Sequence, residues 1–312
     1  MSQQHSHDSN PDTNHGHNHS HNHDSISEKN IHSRAFKWGV SLNFLYVIIE
    51  LVYGFKIDSL ALIADAVHNF GDVCGLLVAW LGFILLRRKA SARMSFGLKK
   101  FSILAAFANS AIMLITTIWI FSEALERYTS VSPLPGLTIM VIAAIGVVIN
   151  FSTAILFYQE ADQDLNMKAA FLHLMSDAVV SAGVIVAGLF IYYKGYAWID
   201  PLTSAVIAIF IFASTWGVFK ESFQLLMGGV PKKINPTEVK NFLEKQVGVS
   251  EVHLLHIWAL STTENMMVAH LVIPSGHPGD SFVTELRHQL SHKFPIHKTV
   301  FQIETDQKNC NP

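Results

Sequence analysis

Residues 59–72, SLALIADAVHNFGD, place Asp65, His68 and Asp72 inside an apolar run that continues to about residue 86. Ionisable side chains in a run of that kind are costly to bury and mark function by default. A second apolar run carries HLMSDAVVSAGVI at residues 173–185, with His173 and Asp177. His68 and Asp72 are four residues apart, and so are His173 and Asp177. On a helix that spacing puts each pair on one face, with Cβ atoms about 5–6 Å apart. If the two faces meet, four ligands converge.

Zinc suits such a set. It takes four ligands tetrahedrally, with imidazole nitrogen or carboxylate oxygen at about 2.0–2.2 Å, and two aspartates neutralise its charge in a low-dielectric surrounding. The lack of thiolates argues against a permanent structural site. Asp65, three residues before His68, is either a group behind the ligands that relays protons or a structural hydrogen-bonding residue. Asn43, Glu50, Asn109, Glu123 and Asn150 are read as packing or pathway groups.

The composition agrees with a membrane body. Of 312 residues, 50% are hydrophobic and 15% charged, against about 25% charged in an ordinary soluble domain. The mean hydropathy is +0.31. Six windows, about 37–55, 59–86, 102–122, 136–158, 169–193 and 202–226, are apolar enough to cross a bilayer, which takes about 20 residues. The expected fold is therefore an α-helical membrane protein: six transmembrane helices followed by a small α+β ferredoxin-like cytoplasmic domain. The boundaries read as a disordered His-rich tail at 1–35, the helices at 36–228 and the last domain at 229–312.

Arg87, Arg88, Lys89, Arg93, Lys99 and Lys100 lie between the second and third windows with no acidic residue among them. By the positive-inside rule that loop is cytoplasmic, and an even number of spans puts both ends of the chain there too. The acidic loop with Glu160, Asp162 and Asp164 falls on the same side and departs mildly from the rule. The net charge of −2 excludes a strongly basic nucleic-acid binder. Cys74 and Cys310 are too few for a disulfide framework or a thiolate site. No HExxH string occurs, so an intramembrane metalloprotease is disfavoured and no enzyme is expected.

Eight of the 17 histidines fall within the first 32 residues, interleaved with Asn, Ser and Asp. Such a segment has too little apolar surface to fold and reads as a metal-collecting tail. After residue 231 the pattern becomes helix, strand, strand, helix, strand. Asn235 is an N-cap with Pro236 at the first helical position, and the helix is expected to run to about Val247. Two β-like runs at 252–260 and 266–273 flank a polar turn. A turn symmetric about Thr263 would place His256 opposite His270, at ligand distance, with His253 on the other face. A helix at about 280–293 and a strand at 298–304 complete the domain.

Together with SFG and two lysines at 95–100, WIDPLTS at 198–204 and LHIWALS at 255–261, these motifs resemble the cation diffusion facilitator family over about residues 36–306. The resemblance implies a homodimeric zinc/proton antiporter whose transport site maps onto His68, Asp72, His173 and Asp177. It implies zinc selectivity for a two-His, two-Asp set, since members with aspartate at the first histidine also accept cadmium. It also implies a regulatory zinc site in the last domain, with His256 and His270 joined by Glu304 and with His277 as a possible fourth ligand. The expected partners are divalent cations (chiefly Zn2+, transported and regulatory), protons, a second copy and the lipid of a bacterial inner membrane. Ligand type also admits cobalt, nickel and copper.

Three departures narrow the transfer. Arg93, Met94 and Leu98 leave no histidine in the loop between the second and third spans, so the further site some bacterial members have there is absent. Residues 159–168 lack the His-rich loop of vesicular members. Gln302 replaces a metal-binding histidine of some members, which argues against a two-zinc cluster.

Overall fold

A computed structural model describes residues 34–86, 90–130, 132–161 and 165–306. The histidine tail, Arg87, Arg88, Lys89, Asp162, Asp164 and Cys310 lie outside the described residues. Arg34, placed in the tail by its sequence, opens the first helix.

Six long helices come first: α1 (Arg34–Ile57), α2 (Leu60–Leu86), α3 (Phe101–Thr129), α4 (Gly136–Ala161), α5 (Leu165–Lys194) and α6 (Ile199–Leu226). Even α1, with 24 residues, reaches about 36 Å at 1.5 Å per residue, more than a bilayer core of about 30 Å. Among the described residues, α1 and α3 to α6 are long and apolar enough to cross a membrane. The remaining helix, α2, carries Asp65, His68 and Asp72.

The bundle is arranged inside out relative to a soluble protein. Ile115, Val179 and Val148 are more than 60% exposed, while Glu50, Asp65, Asn69, Asp177 and Ser181 are buried. Lipid satisfies the first group; only internal hydrogen bonds can satisfy the second. Helices α4 and α5 pack along one another, as do α3 and α6. The α4–α5 contact depends on glycine: a Cβ on Gly136 would stand 2.5 Å from the Tyr192 nitrogen and 2.6 Å from the Gly188 carbonyl oxygen. Small residues of this kind let membrane helices approach backbone to backbone.

The start of α2 is capped from α6. Asp200, 1% exposed, accepts hydrogen bonds from Ser59 Oγ (2.5 Å), Leu60 N (2.8 Å) and Ala61 N (3.4 Å). Replacing Asp200 by alanine strips two buried backbone donors and a hydroxyl of their acceptor. A loss of about 2 kcal/mol or more is expected, read as a lower unfolding temperature of the detergent-solubilised chain. Asp200→Asn, which keeps one acceptor oxygen, should lose less.

The C-terminal domain runs α7 (Pro236–Glu244), β1 (Glu251–Ala259), β2 (Asn265–Val272), α8 (Asp280–Lys293) and β3 (Lys298–Glu304). Asn235 caps α7 as its sequence indicates, its side chain accepting from Thr237 N at 3.0 Å. The helix stops at Glu244, three residues short of the expected end, because the chain turns toward Gly248, which sits at φ +85°. The sheet order is β1-β2-β3, antiparallel then parallel. Val252, Ile257, Met267, Ala269 and Leu271 face Leu243, Leu286 and Leu290 in one apolar core. His270 alternates with Ala269 and Leu271 and stands on the opposite face of the sheet.

One bulge decides what that face displays. The turn is centred one residue earlier than Thr263, so His256 opposes Val268 rather than His270. Between His253 and His256 the register slips by one residue at Leu254, whose φ is +46°. An inserted residue reverses the side-chain alternation of its strand. His253 therefore joins the same face as His270 and lies directly opposite it. The expected pairing of His256 with His270, and of His253 with the other face, is corrected on both counts.

The β1–β2 turn also reaches the helical bundle. Glu264 pairs with Lys99, which precedes α3, and Thr262 N donates to Ser102 Oγ at 3.2 Å. Nearby, partial burial and the adjacent Lys99 ammonium hold Lys298 below the usual lysine range.

Candidate metal centre

The two four-residue spacings converge. His68 Nε2 lies 3.0 Å from Asp177 Oδ1 and 3.7 Å from Asp72 Oδ2, and His173 Nε2 lies 3.3 Å from Asp72 Oδ2 and 3.8 Å from Asp177 Oδ2. Each histidine thus faces the aspartate of the other helix as well as its own. The candidate ligand atoms of His68, Asp72 and Asp177 all lie within 4.8 Å of one another. Ligand atoms placed about 2.0–2.1 Å from a tetrahedral ion are about 3.3 Å apart; the four nitrogen–oxygen separations above, which involve both carboxylate oxygens of Asp177, bracket that value.

The set is asymmetric in exposure. His68 and Asp177 are buried, whereas the His173 side chain is 48% exposed. His173 stands on a cavity of about 290 Å³ lined also by Asn109, Met113 and Phe210. The Phe210 ring packs edge-on against His68 at 6.3 Å between centroids. The buried Asp72 Oδ2 accepts no well-formed hydrogen bond, which in a low-dielectric surrounding favours a cation beside it.

Behind these four residues lies a second polar group, built on Asp65, which the sequence offers as a relay or a structural hydrogen-bonding residue, and on Glu50, which it offers as a packing or pathway group. Ser181 on α5 donates to Asp65 Oδ2 at 2.8 Å. Asn69 Nδ2 donates to the Asp65 carbonyl at 3.0 Å and approaches Glu50 Oε2 at 3.4 Å, while Tyr46 donates to Glu50 Oε1 at 2.7 Å. Asp65 is one turn before His68 and Ser181 one turn after Asp177. Their bond therefore ties α2 to α5 immediately beside the four ligands.

A second, partly buried cluster sits on the face of the sheet away from the apolar core. Glu304 bridges two imidazoles, with Oε2 at 3.0 Å from His253 Nε2 and Oε1 at 2.6 Å from His270 Nδ1. Gln302 Nε2 donates to Glu304 Oε1 at 2.8 Å. The two rings are 5.2 Å apart, edge to face. The structure brings together His270 and Glu304 as expected and supplies His253 where His256 had been expected; His256 is exposed and outside the cluster. His277 turns back on its own loop, accepting from Gly279 N at 3.1 Å. The signal for His253 was the LeuLeu pair at 254–255, where an extra strand residue would reverse the alternation.

Known proteins divide along the same two domains. Residues 37–227 match the cation efflux transmembrane domain, and residues 231–306 match the cytoplasmic domain of cation efflux proteins. A cadmium, cobalt and zinc/H(+)-K(+) antiporter of Bacillus subtilis is 34% identical over 269 residues, 85% of this chain and 86% of that protein. The zinc transporter ZitB of Escherichia coli is 32% identical over 279 residues, covering 89% and 88% of the two chains. The metal cation efflux system protein CzcD of Cupriavidus metallidurans is 32% identical over 274 residues, covering 88% and 87%. With both domains matched and the likeness running through nearly the whole chain, the protein belongs to the cation efflux, or cation diffusion facilitator, family of membrane transporters.

Proposed function

We propose that the chain is a zinc/proton antiporter that exports cytoplasmic Zn2+ by alternating access, with His68, Asp72, His173 and Asp177 as its transport site. The observation that carries this reading is the convergence of two His-x-x-x-Asp turns from α2 and α5 on one cavity. Zinc as cargo is supported by the donor set and by the activities for which the similar proteins are named.

Each residue has a distinct task. His173, at the cavity wall, meets the arriving ion first. Asp72 and Asp177 supply the negative charge that replaces the ion's hydration, and His68 closes the buried side. Imidazoles ligate only when neutral, so loading expels protons and reprotonation expels the ion. Metal and proton competing for the same nitrogens make the exchange obligatory. The Asp65–Ser181 bond keeps the two ligand-bearing turns at a fixed separation.

The sheet cluster of His253, His270 and Glu304 serves as a regulatory site for cytosolic zinc, and the C-terminal domain joins two copies in a homodimer. Arg93, Lys99 and Lys100 support a cytoplasmic loop between α2 and α3, and with it a reading in which both ends of the chain are cytoplasmic and the helices cross a bacterial inner membrane. The histidine tail gathers metal on that side.

Proteoliposome flux tests the exchange. Zinc uptake should accelerate when the lumen is more acidic than the loading side, because alkaline conditions favour neutral, loading-competent histidines and acid drives release. Collapsing the pH gradient with a protonophore should return the rate to the ungraded level. A rate indifferent to the gradient, in either direction, would remove proton coupling from the proposal. A panel with cadmium, cobalt and nickel sets the selectivity.

A further inference from the structure

Helix α8 presents two unlike faces. Leu286 and Leu290 anchor it in the domain core, so its rotation about its own axis is fixed. His288 and His292, four residues apart, are exposed on the side away from that core. Their rings are 4.4 Å apart, and the two Nε2 atoms are 3.1 Å from one another. Two nitrogens bound to one ion at about 2.0–2.1 Å are separated by about 3.3 Å in tetrahedral and about 2.9 Å in square-planar geometry. The two nitrogens share a hydrogen bond at a separation that falls between these values, so a common ion can take the place of the shared proton once the rings turn toward it.

The surroundings permit a cation. Lys293, the next residue, is drawn away to the aromatic face of Phe242, its Nζ 4.7 Å from the ring centroid. Glu285, one turn before His288, lies on the same side of the helix, its carboxylate accepting from Gln289 at 2.8 Å. Carboxylate, imidazole and imidazole follow one another along a single exposed stripe.

We propose that His288 and His292 form a bidentate imidazole site for a borderline divalent cation of the zinc class, completed by water or by Glu285. It is separate from the cluster of His253, His270 and Glu304, because α8 covers the opposite face of the sheet. With two imidazoles instead of three protein ligands it fills only at higher zinc, and it clamps the last turn of α8 when it does.

Chemical modification of the full-length, detergent-purified chain by diethyl pyrocarbonate, read by peptide mass spectrometry during a ZnCl2 titration, reports each histidine separately. His288 and His292 should lose reactivity together, with one midpoint and by at least tenfold, while the exposed His297 stays reactive; a chelator should restore both. In His292→Ala the midpoint at His288 should rise at least tenfold, and in His288→Ala the same should hold at His292. Both substitutions are on the exposed face and leave the core untouched. Protection of His288 that survives His292→Ala unchanged, or reactivity of the pair that zinc never lowers, would overturn the proposal.

Discussion

Replacing Asp177 by alanine is expected to lower zinc flux by a hundredfold or more, the largest functional effect of any single change in this chain. Asp177 is 3% exposed and faces both histidines, at 3.0 Å and 3.8 Å. Its loss removes one of two negative charges from a site that must strip a divalent ion of water, and leaves His68 without its closest acceptor. A hundredfold effect corresponds to about 2.8 kcal/mol at about 1.4 per decade, modest for a buried ligand. Asp177→Asn separates charge from shape: it keeps the side-chain volume and an acceptor oxygen, yet should be nearly as impaired. The measurement is initial zinc uptake into proteoliposomes under a pH gradient, with monodisperse elution as the control for folding. Wild-type rates in both variants would show that cargo does not pass these four residues.

The second large effect separates two histidines three positions apart on one strand. His253→Ala should weaken zinc binding at the sheet cluster by tens of fold, since it leaves Glu304 and His270 without the second imidazole. His256→Ala should change it by less than about twofold, because His256 stands opposite Val268, away from Glu304. Zinc protection of His270, which both variants retain, from diethyl pyrocarbonate gives the midpoint directly. Equal effects of the two substitutions would contradict the register of the sheet.

The contrast between these cases shows where sequence reasoning reaches. In α2 and α5 each ligand pair lies within one helical turn, so the 3.6-residue period alone places His68 beside Asp72 and His173 beside Asp177. In the hairpin the corresponding inference needs the centre of a turn and the absence of a bulge. An error of one residue in either moves a side chain to another partner or to the other face. Both occurred: the turn centre lies earlier, and the bulge at Leu254 brought His253 to the face that carries His270 and Glu304.

The sequence by itself determined the six long helices, the α+β domain that follows them and the two His-x-x-x-Asp turns, because each depends on local composition and a local period. Only the tertiary structure decided that His253 replaces His256, that Ser181 of α5 holds Asp65 of α2, and that Asp200 of α6 caps a helix about 140 residues earlier in the chain. Those contacts join segments whose separation no periodicity encodes. They are set by which helices pack together, by the close approach that glycine allows, and by the need of every buried donor and acceptor to find a partner where there is no water.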